Sequence, residues 1–400
     1  MTADAAAWAV AWESVPWHRD PAQPLSRSQR ARIRSTYDAA IPPAISALEV
    51  SVDADVLAQA DDARAEISRF DAELSTMLPG SELAPLSAVL LRTESASSSQ
   101  IEHVTAGARA LAMGTLDLAR PGSNAQLVAA NVAAMTSAID LADSVTPASV
   151  LAVHAALMHG QPHANPGRLR KEQVWIGGSG VSPHGAEFVP PQHTRVEAAL
   201  DDVCEFIART DVPLLAQCAI AHAQFETIHP FADGNGRVGR ALVHAMLQHA
   251  GATTRATVPI SAGLLTDTEA YFAALTAYRS GDVNAIIARF VEATFVAIGN
   301  GRTLARQLVD VHEAWSTLIR ARRTASIWQV LPLLLSQPVV TSALIQQVTG
   351  VSQPAADQII ARLRDVGILT KASGGQRYVA WVATDVTDAL DEFAERARRG

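Results

Sequence analysis

The chain has 400 residues and a formal net charge of −8, from 32 basic and 40 acidic side chains. At roughly 150 residues per domain, this length predicts two or three domains. The acidic balance argues against a general nucleic-acid binder, and no run approaches the roughly 18 apolar residues that cross a bilayer. The opening residues carry acids rather than a basic leader, and Cys204 and Cys218 fall in helical patterns. We therefore expect a cytoplasmic protein with no membrane attachment, disulfide or zinc site.

Residues 1–110 are predicted to form an N-terminal helical region. An irregular start that bears Pro and Trp precedes a helix over residues 54–70. The region ends in the polar segment LLRTESASSSQIEH at residues 90–103. Residues 111–310 are then expected to form a second helical body, interrupted by one hairpin.

Two short apolar runs, residues 173–178 and 186–191, flank a loop rich in Gly, Ser, Pro and His. Such runs on either side of a glycine-bearing loop predict a β-hairpin. Hairpins are common, so a purely structural role stays open for this one.

Residues 229–240 read HPFADGNGRVGR, with helical apolar patterns before them at 214–225 and after them at 241–247. The twelve residues are therefore predicted to be a loop between two packed helices. Gly234 and Gly236 let successive backbone N–H groups converge on an anion. No GK[ST] phosphate loop is present, so a phosphate site here is not of Walker type.

The charged side chains of this loop suit a nucleotide phosphate. Arg237 and Arg240, three residues apart, can direct two planar guanidinium groups at the same bound anion. Asp233 can hold a hard cation such as Mg2+. His229 has an ordinary pKa that lets it accept a proton near neutral pH. These residue types together predict a phosphoryl centre held in line with a base.

Residues 266–275 begin another helix, which carries the adjacent aromatic residues Tyr271 and Phe272. Because neighbouring residues on a helix point in different directions, we expect one of the two rings to face inward. Both rings are equally compatible with a place in the core.

The pattern changes in residues 320–400, which predict a winged helix-turn-helix domain. The predicted elements are an apolar run at 327–335, helices at 341–350 and 352–366, and strands at 367–371 and 376–381.

This C-terminal region is only mildly basic, with ten Lys or Arg and seven Asp or Glu from residue 320 onward. Its second predicted helix carries Asp357, which repels phosphates, although Gln353, Gln358, Arg362 and Arg364 are able to contact DNA. DNA binding therefore stays open but is not favoured over protein docking or dimerisation, so a homo-oligomer also stays open.

The sequence HPFADGNGRVGR matches every fixed position of HPFxxGNGRxxR, the signature of the Fic family, so the chain resembles that family. The resemblance implies a mainly α, Fic-type helical bundle with a β-hairpin flap. It also implies transfer of AMP from ATP to a hydroxyl side chain (Ser, Thr or Tyr) of a target protein. The roles implied are a base for His229, a magnesium ligand for Asp233, and a phosphate cradle for Gly234, Asn235, Gly236, Arg237 and Arg240.

Residues 90–103 resemble the inhibitory segment of the same family, (S/T)xxxE(G/N), with Ser98 and Glu102 at its fixed positions. The resemblance implies that Glu102 pairs with Arg240 and blocks productive placement of the ATP γ-phosphate. His103 stands where Gly or Asn is usual, a place that suggests a left-handed helix end. An ordinary helix carboxylate is the alternative role for Glu102.

The hairpin resembles the Fic flap, which covers the active site and pairs with an extended target segment along a strand edge. This resemblance places Val174, Trp175, Ile176 and Gly177 at the nucleotide. Gly167 and Arg170 fit the usual lead-in to the flap, with a structural ion pair as the alternative role for Arg170. In relatives an aromatic pair at the place of Tyr271 and Phe272 lines the adenine pocket.

Two further hypotheses stay open beside an autoinhibited AMP-transferase. In one, the chain is a regulator whose winged helix binds an operator or partner, and the Fic fold senses a nucleotide. His229 argues against that role, because a sensor needs no base. In the other, Glu102 also directs water to remove AMP, which makes the enzyme bifunctional.

Overall fold

The computed structural model describes residues 3–18, 26–27, 33–77, 83–141, 143–178, 180–254, 256–322, 324–372 and 379–399. The mainly helical class predicted from the sequence is confirmed. The helices, in chain order, are α1 (Ala3–Trp8), α2 (Ala54–Met77), α3 (Leu83–Ile101), α4 (Ala108–Gly114), α5 (Asn124–Asp140), α6 (Pro147–Leu157), α7 (His193–Ile207), α8 (Leu214–Ile228), α9 (Asn235–His249), α10 (Ile260–Leu265), α11 (Thr268–Arg279), α12 (Val283–Leu318), α13 (Ile327–Ser336), α14 (Ser342–Thr349), α15 (Gln353–Asp365) and α16 (Thr384–Arg399). The strands are β1 (Ala11–Pro16), β2 (Thr36–Ile41), β3 (Val339–Val340), β4 (Thr370–Lys371) and β5 (Trp381–Val382).

The chain divides into two compact units, and each of them is discontinuous in sequence. The first unit comprises Met1–Asp62, Ser137–Ala250 and Glu269–Val291. The second comprises Ala63–Thr136, Gly251–Thr268 and Glu292–Gly400. The division into sequence domains at residues 1–110, 111–310 and 320–400 stays a prediction.

Helix α8 is the central element of the first unit, and its residues from Leu215 to Ile228 are all buried. A helix that is mostly apolar on every side must be covered on every side, and α7 and α9 both pack on it. The polar side chains of α8 are paired in place. Gln217, for example, donates to the carbonyls of Phe206, Ile207 and Arg209.

The first unit also contains an N-terminal β-hairpin, which the sequence did not predict. Strands β1 and β2 pair antiparallel with Ala11 opposite Ile41, and Ala40 N–H donates to Val189 O at 2.9 Å. The prediction of an irregular start to the chain was therefore wrong. The strands are only six residues long and carry Glu13, Ser14 and Asp38 among their apolar residues, and residues 17–35 separate them, so no tight-turn signal links them.

Helix α3 packs on α10, α13 and α16 in the second unit. Its serine-rich half is buried, with Ser95, Ser98 and Ser99 fully covered. This is tolerated because helix hydroxyls bond back to carbonyls one turn earlier, as Ser95 Oγ does to Leu91 O at 2.8 Å. Asn131 of α5 adds hydrogen bonds to Ser95 O and Ser99 Oγ.

The C-terminal elements occur in the predicted order. Thr341 caps α14 by accepting from Leu344 N, and Gly350 ends that helix with φ +71°. Strand β5 pairs antiparallel with both β3 and β4. Residues 373–378, where the second predicted wing strand begins, lie outside the described part of the chain. The winged-helix interpretation stays a prediction.

Helix α12 is long and apolar enough to cross a membrane by length and composition, with a mean hydropathy of 1.3 over an 18-residue window. Within the protein, 56% of that window is buried. The core helices of proteins that never enter a bilayer pass the same test, so one such helix is weak evidence of a membrane span.

Candidate active site

The motif loop is shorter than predicted, because α9 begins at Asn235, inside the motif at residues 229–240. Residues 229–234 alone connect α8 to α9. The early start follows from the glycines: Gly234 is the left-handed N-cap of α9, with φ +83°. Arg237 and Arg240 therefore lie on the first two turns of a helix, where their spacing places them on one face.

His229 ends α8 in a left-handed conformation, with φ 51° and ψ 62°. This conformation is uncommon outside glycine, so the surrounding structure must hold it. The His229 backbone N–H donates to Phe225 O at 2.9 Å, and the side chain is 20% exposed. Its Nδ1 lies 3.8 Å from Glu226 Oε2. A partly accessible imidazole with a nearby carboxylate is suited to accept a proton from a group arriving from solvent.

Asn235 closes the motif loop on itself. Its Oδ1 accepts from Phe231 N at 2.8 Å, and its Nδ2 donates to Phe231 O at 2.9 Å. Asn235 and Phe231 are both buried. The structure therefore directs this side chain at the loop backbone, where it fixes the shape of the turn.

Gly234 is required by space as well as by backbone conformation. A Cβ at this position would clash with Met158 Cε and lie 3.0 Å from Leu157 Cδ2. These two side chains belong to the end of α6. The glycine therefore lets α6 approach the turn from behind.

His154 of α6 supports the same turn, although in the sequence it is only a single histidine in an apolar helix. Its Nδ1 accepts from Gly167 N at 3.0 Å, so Nε2, which lies 3.1 Å from Asp233 O, is the donor. The ring stacks on Phe231 at 3.7 Å between centroids. Burial lowers the pKa of His154 to about 4, so the ring is uncharged at neutral pH. Its role there is to hold the turn in place through these contacts.

Arg170 ties the start of the flap to the motif loop. Its Nε donates to His229 O at 2.8 Å, and its two terminal nitrogens donate to backbone carbonyls of Glu172, Pro191 and Ile228. Its own backbone N–H donates to Pro230 O at 3.0 Å. The partners of Arg170 are therefore backbone carbonyl oxygens, whereas the alternative considered from the sequence was an ion pair. Burial lowers its pKa to about 10.

The start of α9 is electropositive. Backbone N–H groups in the first turn of a helix have no partner within that helix and face the positive end of its dipole. Arg237 is buried, with Nη2 3.2 Å from Asp233 Oδ1. Its Nε is buried without a hydrogen-bond partner among the described residues. Arg240 is buried one turn later, and its charge adds to burial in lowering the pKa of His222 to about 3.

Asp233 fits one position in a magnesium coordination shell. Its side chain is 51% exposed, and Oδ1 accepts from Gly234 N and Arg237 Nη2. No described residue donates to Oδ2. The described chain holds no cluster of three or more potential metal ligands. One carboxylate oxygen is nevertheless enough where nucleotide phosphates and water complete the shell, as Mg2+ usually prefers.

The predicted flap is a hairpin closed by one bridge, Ile176 opposite Phe188. Ile176 N–H donates to Phe188 O at 2.9 Å, and Glu187 N–H donates to Ile176 O at 2.8 Å. Gly177 has φ +72°, and a Cβ there would meet the Glu187 side chain. Val174, Trp175 and Ile176 are half-buried and Gly177 is exposed.

The aromatic pair on α11 separates as expected. Tyr271 is buried and its hydroxyl lies 2.7 Å from His222 Nε2, whereas the Phe272 side chain is 51% exposed. Tyr271 is therefore the inward ring. The adenine-pocket role of the pair stays a prediction.

In the second unit, α3 ends in the left-handed geometry that was predicted from the place of His103 in the sequence. His103 has φ 60°, Val104 N–H donates to Ser99 O, and His103 N–H donates to Gln100 O. These two bonds around a left-handed residue form a Schellman-type helix end, for which Gly or Asn is the usual choice. Ser98 is buried and Glu102 is exposed. The histidine therefore adopts the expected backbone conformation.

Comparisons with known proteins agree with this geometry. Residues 144–247 match the model of the Fic/DOC family. The protein adenylyltransferase Fic of Nematostella vectensis is 28% identical over 193 residues, which cover 44% of this chain and 40% of that protein. A probable protein adenylyltransferase of Aquifex aeolicus is 38% identical over 68 residues, 17% of this chain and 21% of that protein. The chain thus spans less than half the length of these relatives.

A crystal structure of a Fic family protein from Desulfovibrio desulfuricans superposes on 83% of this chain and 97% of its own, with a TM-score of 0.52 and 21% identity. This likeness shows a shared fold. The prediction of a Fic-type helical fold is confirmed.

Proposed function

We propose that the protein is an adenylyltransferase that moves AMP from ATP to a Ser, Thr or Tyr hydroxyl of a target protein, because residues 144–247 match the model of the Fic/DOC family. One observation carries the proposal. A partly open histidine, an exposed carboxylate and a helix N-terminus bearing two buried arginines share one short turn, which three buried side chains, His154, Arg170 and Asn235, hold in shape.

The reaction is a phosphoryl-group displacement with His229 as base. The target hydroxyl oxygen forms a bond to the ATP α-phosphorus while His229 accepts its proton. The bond from that phosphorus to its bridging oxygen breaks, and pyrophosphate leaves with the electron pair. The first turn of α9, Arg237 and Arg240 hold the negative charge of the phosphates. Positioning and electrostatics supply most of the catalysis in phosphoryl transfer.

Asp233 is the residue that holds magnesium in this proposal. When bound, the ion neutralises charge on the phosphate oxygens. Its carboxylate is placed by the hydrogen bonds of Gly234 N and Arg237 to one oxygen, so the second oxygen keeps a defined direction.

The flap is the proposed docking site for the target backbone. Residue Ala40 of β2 already donates to Val189 on the second run of the flap. A target strand is therefore directed to the first run, residues 174–177. Backbone pairing of this kind recognises an extended conformation more than a side-chain identity.

The proposal includes the inhibitory role that the family resemblance implies for Glu102 toward Arg240. The left-handed conformation at His103 supports this assignment, because the segment keeps the helix end that the motif needs. A carboxylate and a phosphate compete for the same guanidinium group. Removal of the carboxylate should therefore release activity.

Intact-mass measurement after incubation with Mg-ATP tests the proposal with three proteins: wild type, Glu102→Gly, and Glu102→Gly combined with His229→Ala. We expect Glu102→Gly alone to gain AMP. The double variant should still bind ATP, because His229 contributes a proton acceptor rather than a phosphate contact.

Two outcomes would contradict parts of the proposal. A gain of AMP by the double variant removes His229 from its role as base. If Glu102→Gly binds Mg-ATP and neither it nor proteins of an added cell extract acquire AMP, the transferase assignment is wrong.

A further inference from the structure

Helix α12 carries a line of exposed residues in the second unit. At 100° per residue, positions three and four apart share one side of a helix. The exposed line consists of Glu292, Phe295, Gly299, Thr303 and Arg306. Phe295 and its neighbour Val296 are 42% and 41% exposed. Adjacent large apolar side chains on a surface are typical of a place where a partner binds.

A groove of about 300 Å³ lies beside this line, between α12 and the C-terminal end of α16. Gly299 and Thr303 line it from α12, next to Phe295 and Val296. A Cβ at Gly299 would meet no atom within 4 Å. The space above the glycine is therefore open to a side chain from outside the chain.

The polar side chains of the groove are already paired within the chain. Arg396 Nε donates to Asn300 Oδ1 at 2.6 Å and Nη2 donates to Gln307 Oε1 at 3.2 Å. Arg396 Nη1 lies 3.8 Å from Glu392 Oε2. Asn300 Nδ2 donates to Phe393 O at 3.2 Å. These bonds hold the two helices together, and they leave the groove better suited to an apolar group than to an anion.

The charges on this side of α12 are arranged symmetrically about Gly299. Glu292 and Arg306 each lie seven residues from Gly299, which is about 10.5 Å along the helix axis. Arg306 forms no ion pair with a described residue, whereas Arg302 of the same helix is paired with Glu66 and Glu73. An identical helix that crosses antiparallel at Gly299 would therefore bring each Glu292 opposite the Arg306 of the other copy.

We propose that this face of α12 binds a second copy of the chain through an antiparallel helix pair centred on Gly299. A twofold interface uses the same patch on both partners, so each contact occurs twice. Glycine at the crossing lets the two backbones approach closely. Phe295 of each copy then lies opposite Thr303 of the other and enters its groove. One helix pair is a small interface, so the dimer should dissociate on dilution.

Charge reversal in the full chain tests the proposed pairing, with sedimentation velocity over a wide range of concentration as the measurement. Arg306→Glu and Glu292→Arg each bring like charges together, so each should weaken the association about tenfold or more. The chain that carries both substitutions has its two charges exchanged and should recover most of the wild-type association. Circular dichroism checks that every variant is folded.

Cross-linking tests the position of the twofold axis. The native Cys204 and Cys218 are buried, so Gly299→Cys introduces an exposed thiol next to the axis. Mild oxidation should link two copies of this variant through a disulfide. Thr317→Cys is the matched control, because Thr317 is exposed on the same side of α12 but roughly 27 Å further along the helix. It should remain unlinked.

The proposal is overturned if the wild-type chain sediments as a monomer at every concentration, which would leave this face to a different protein. It is also overturned if the doubly reversed chain fails to recover, or if Gly299→Cys cross-links no faster than Thr317→Cys. None of these readouts depends on AMP transfer, so failure of the catalytic proposal would be seen separately.

Discussion

Two arginines illustrate how the motif-loop region differs from the α3 region: Arg170 is buried, and Arg92 is half-buried. Arg170 donates to backbone carbonyls of four residues around the motif loop and the flap. Arg92 donates to one glutamine and leaves two nitrogens without partners in the described structure. Burial lowers the pKa of each to about 10. The two side chains are alike in charge, and differ in how completely their donors are used.

This difference teaches how to tell an arginine that holds the backbone in place from one that contributes little to the fold. A guanidinium whose donors are all occupied holds backbone in place, and its removal leaves several buried carbonyls unpaired. A guanidinium with open donors is maintained at a cost to stability. The motif-loop region should therefore be intolerant of the loss of its arginine, and the α3 region should tolerate that loss.

Arg170→Met gives the largest expected effect and tests the comparison directly. Loss of these charged hydrogen bonds should lower the free energy of unfolding by about 3–5 kcal/mol, measured by urea unfolding. Arg92→Met is the matched control, with no expected loss of stability, because only one hydrogen bond of Arg92 is lost. Equal losses in the two variants would contradict the distinction between them.

The stability of the protein should depend on pH, because two buried histidines near the motif loop are kept uncharged by the fold. The folded-state pKa of His154 is lowered to about 4 and that of His222 to about 3, both chiefly by burial. Because the unfolded chain binds protons more readily, stability is complete above about pH 6.5 and falls as the pH drops toward 4. His154 alone should account for roughly 3 kcal/mol of this fall.

Urea unfolding of wild type and His154→Gln between pH 7 and pH 4 checks this expectation. The variant should be less stable at pH 7 and show a shallower decline. Parallel pH profiles for the two proteins would show that the His154 ring is not kept neutral by the fold.

Gly234→Ala should cost about 2–3 kcal/mol, since the left-handed conformation costs about 1–2 and overpacking adds to it. Gly160→Ala is the matched control, because Gly160 has φ +77° with nothing within 4 Å of a Cβ. Chemical unfolding of both variants measures the loss in the free energy of unfolding. The difference between the two losses is the steric cost at Gly234, because both glycines have a left-handed backbone. A smaller loss for Gly234→Ala than for Gly160→Ala would show that α6 does not press on the turn.

His103→Gly gives the smallest expected effect and the opposite sign. Glycine removes the left-handed strain at the end of α3 and should raise the free energy of unfolding by about 1 kcal/mol. Ala133→Gly in the exposed interior of α5 is the control and should lose about 1 kcal/mol. Destabilisation by His103→Gly would mean that the imidazole makes a contact worth more than the strain.

The sequence predicted the regions where local signals are strong. Residues 214–225 form a buried helix because they are apolar on every side, and Gly350 stops α14 because it alone adopts φ +71° cheaply. The chemistry of residues 229–240 was recognisable because the residue types are adjacent in the chain.

Features that depend on distant partners could not be predicted. The β1–β2 hairpin is stabilised by Val189, far along the chain. His154 and Arg92 appear in sequence as single polar residues in helices. His154 matters because its ring contacts Asp233 and Phe231. Arg92 is unusual because two of its nitrogens have no hydrogen-bond partner among the described residues.

The central claim is that the motif loop transfers the AMP portion of ATP. Its most direct test incubates Glu102→Gly with ATP labelled at either the α- or the γ-phosphate, in the presence of magnesium and a cell extract. The account predicts protein labelling from α-labelled ATP alone, and none when His229→Ala is added to Glu102→Gly. Labelling from γ-labelled ATP that depends on His229 would contradict it, because the enzyme would then transfer phosphate rather than AMP.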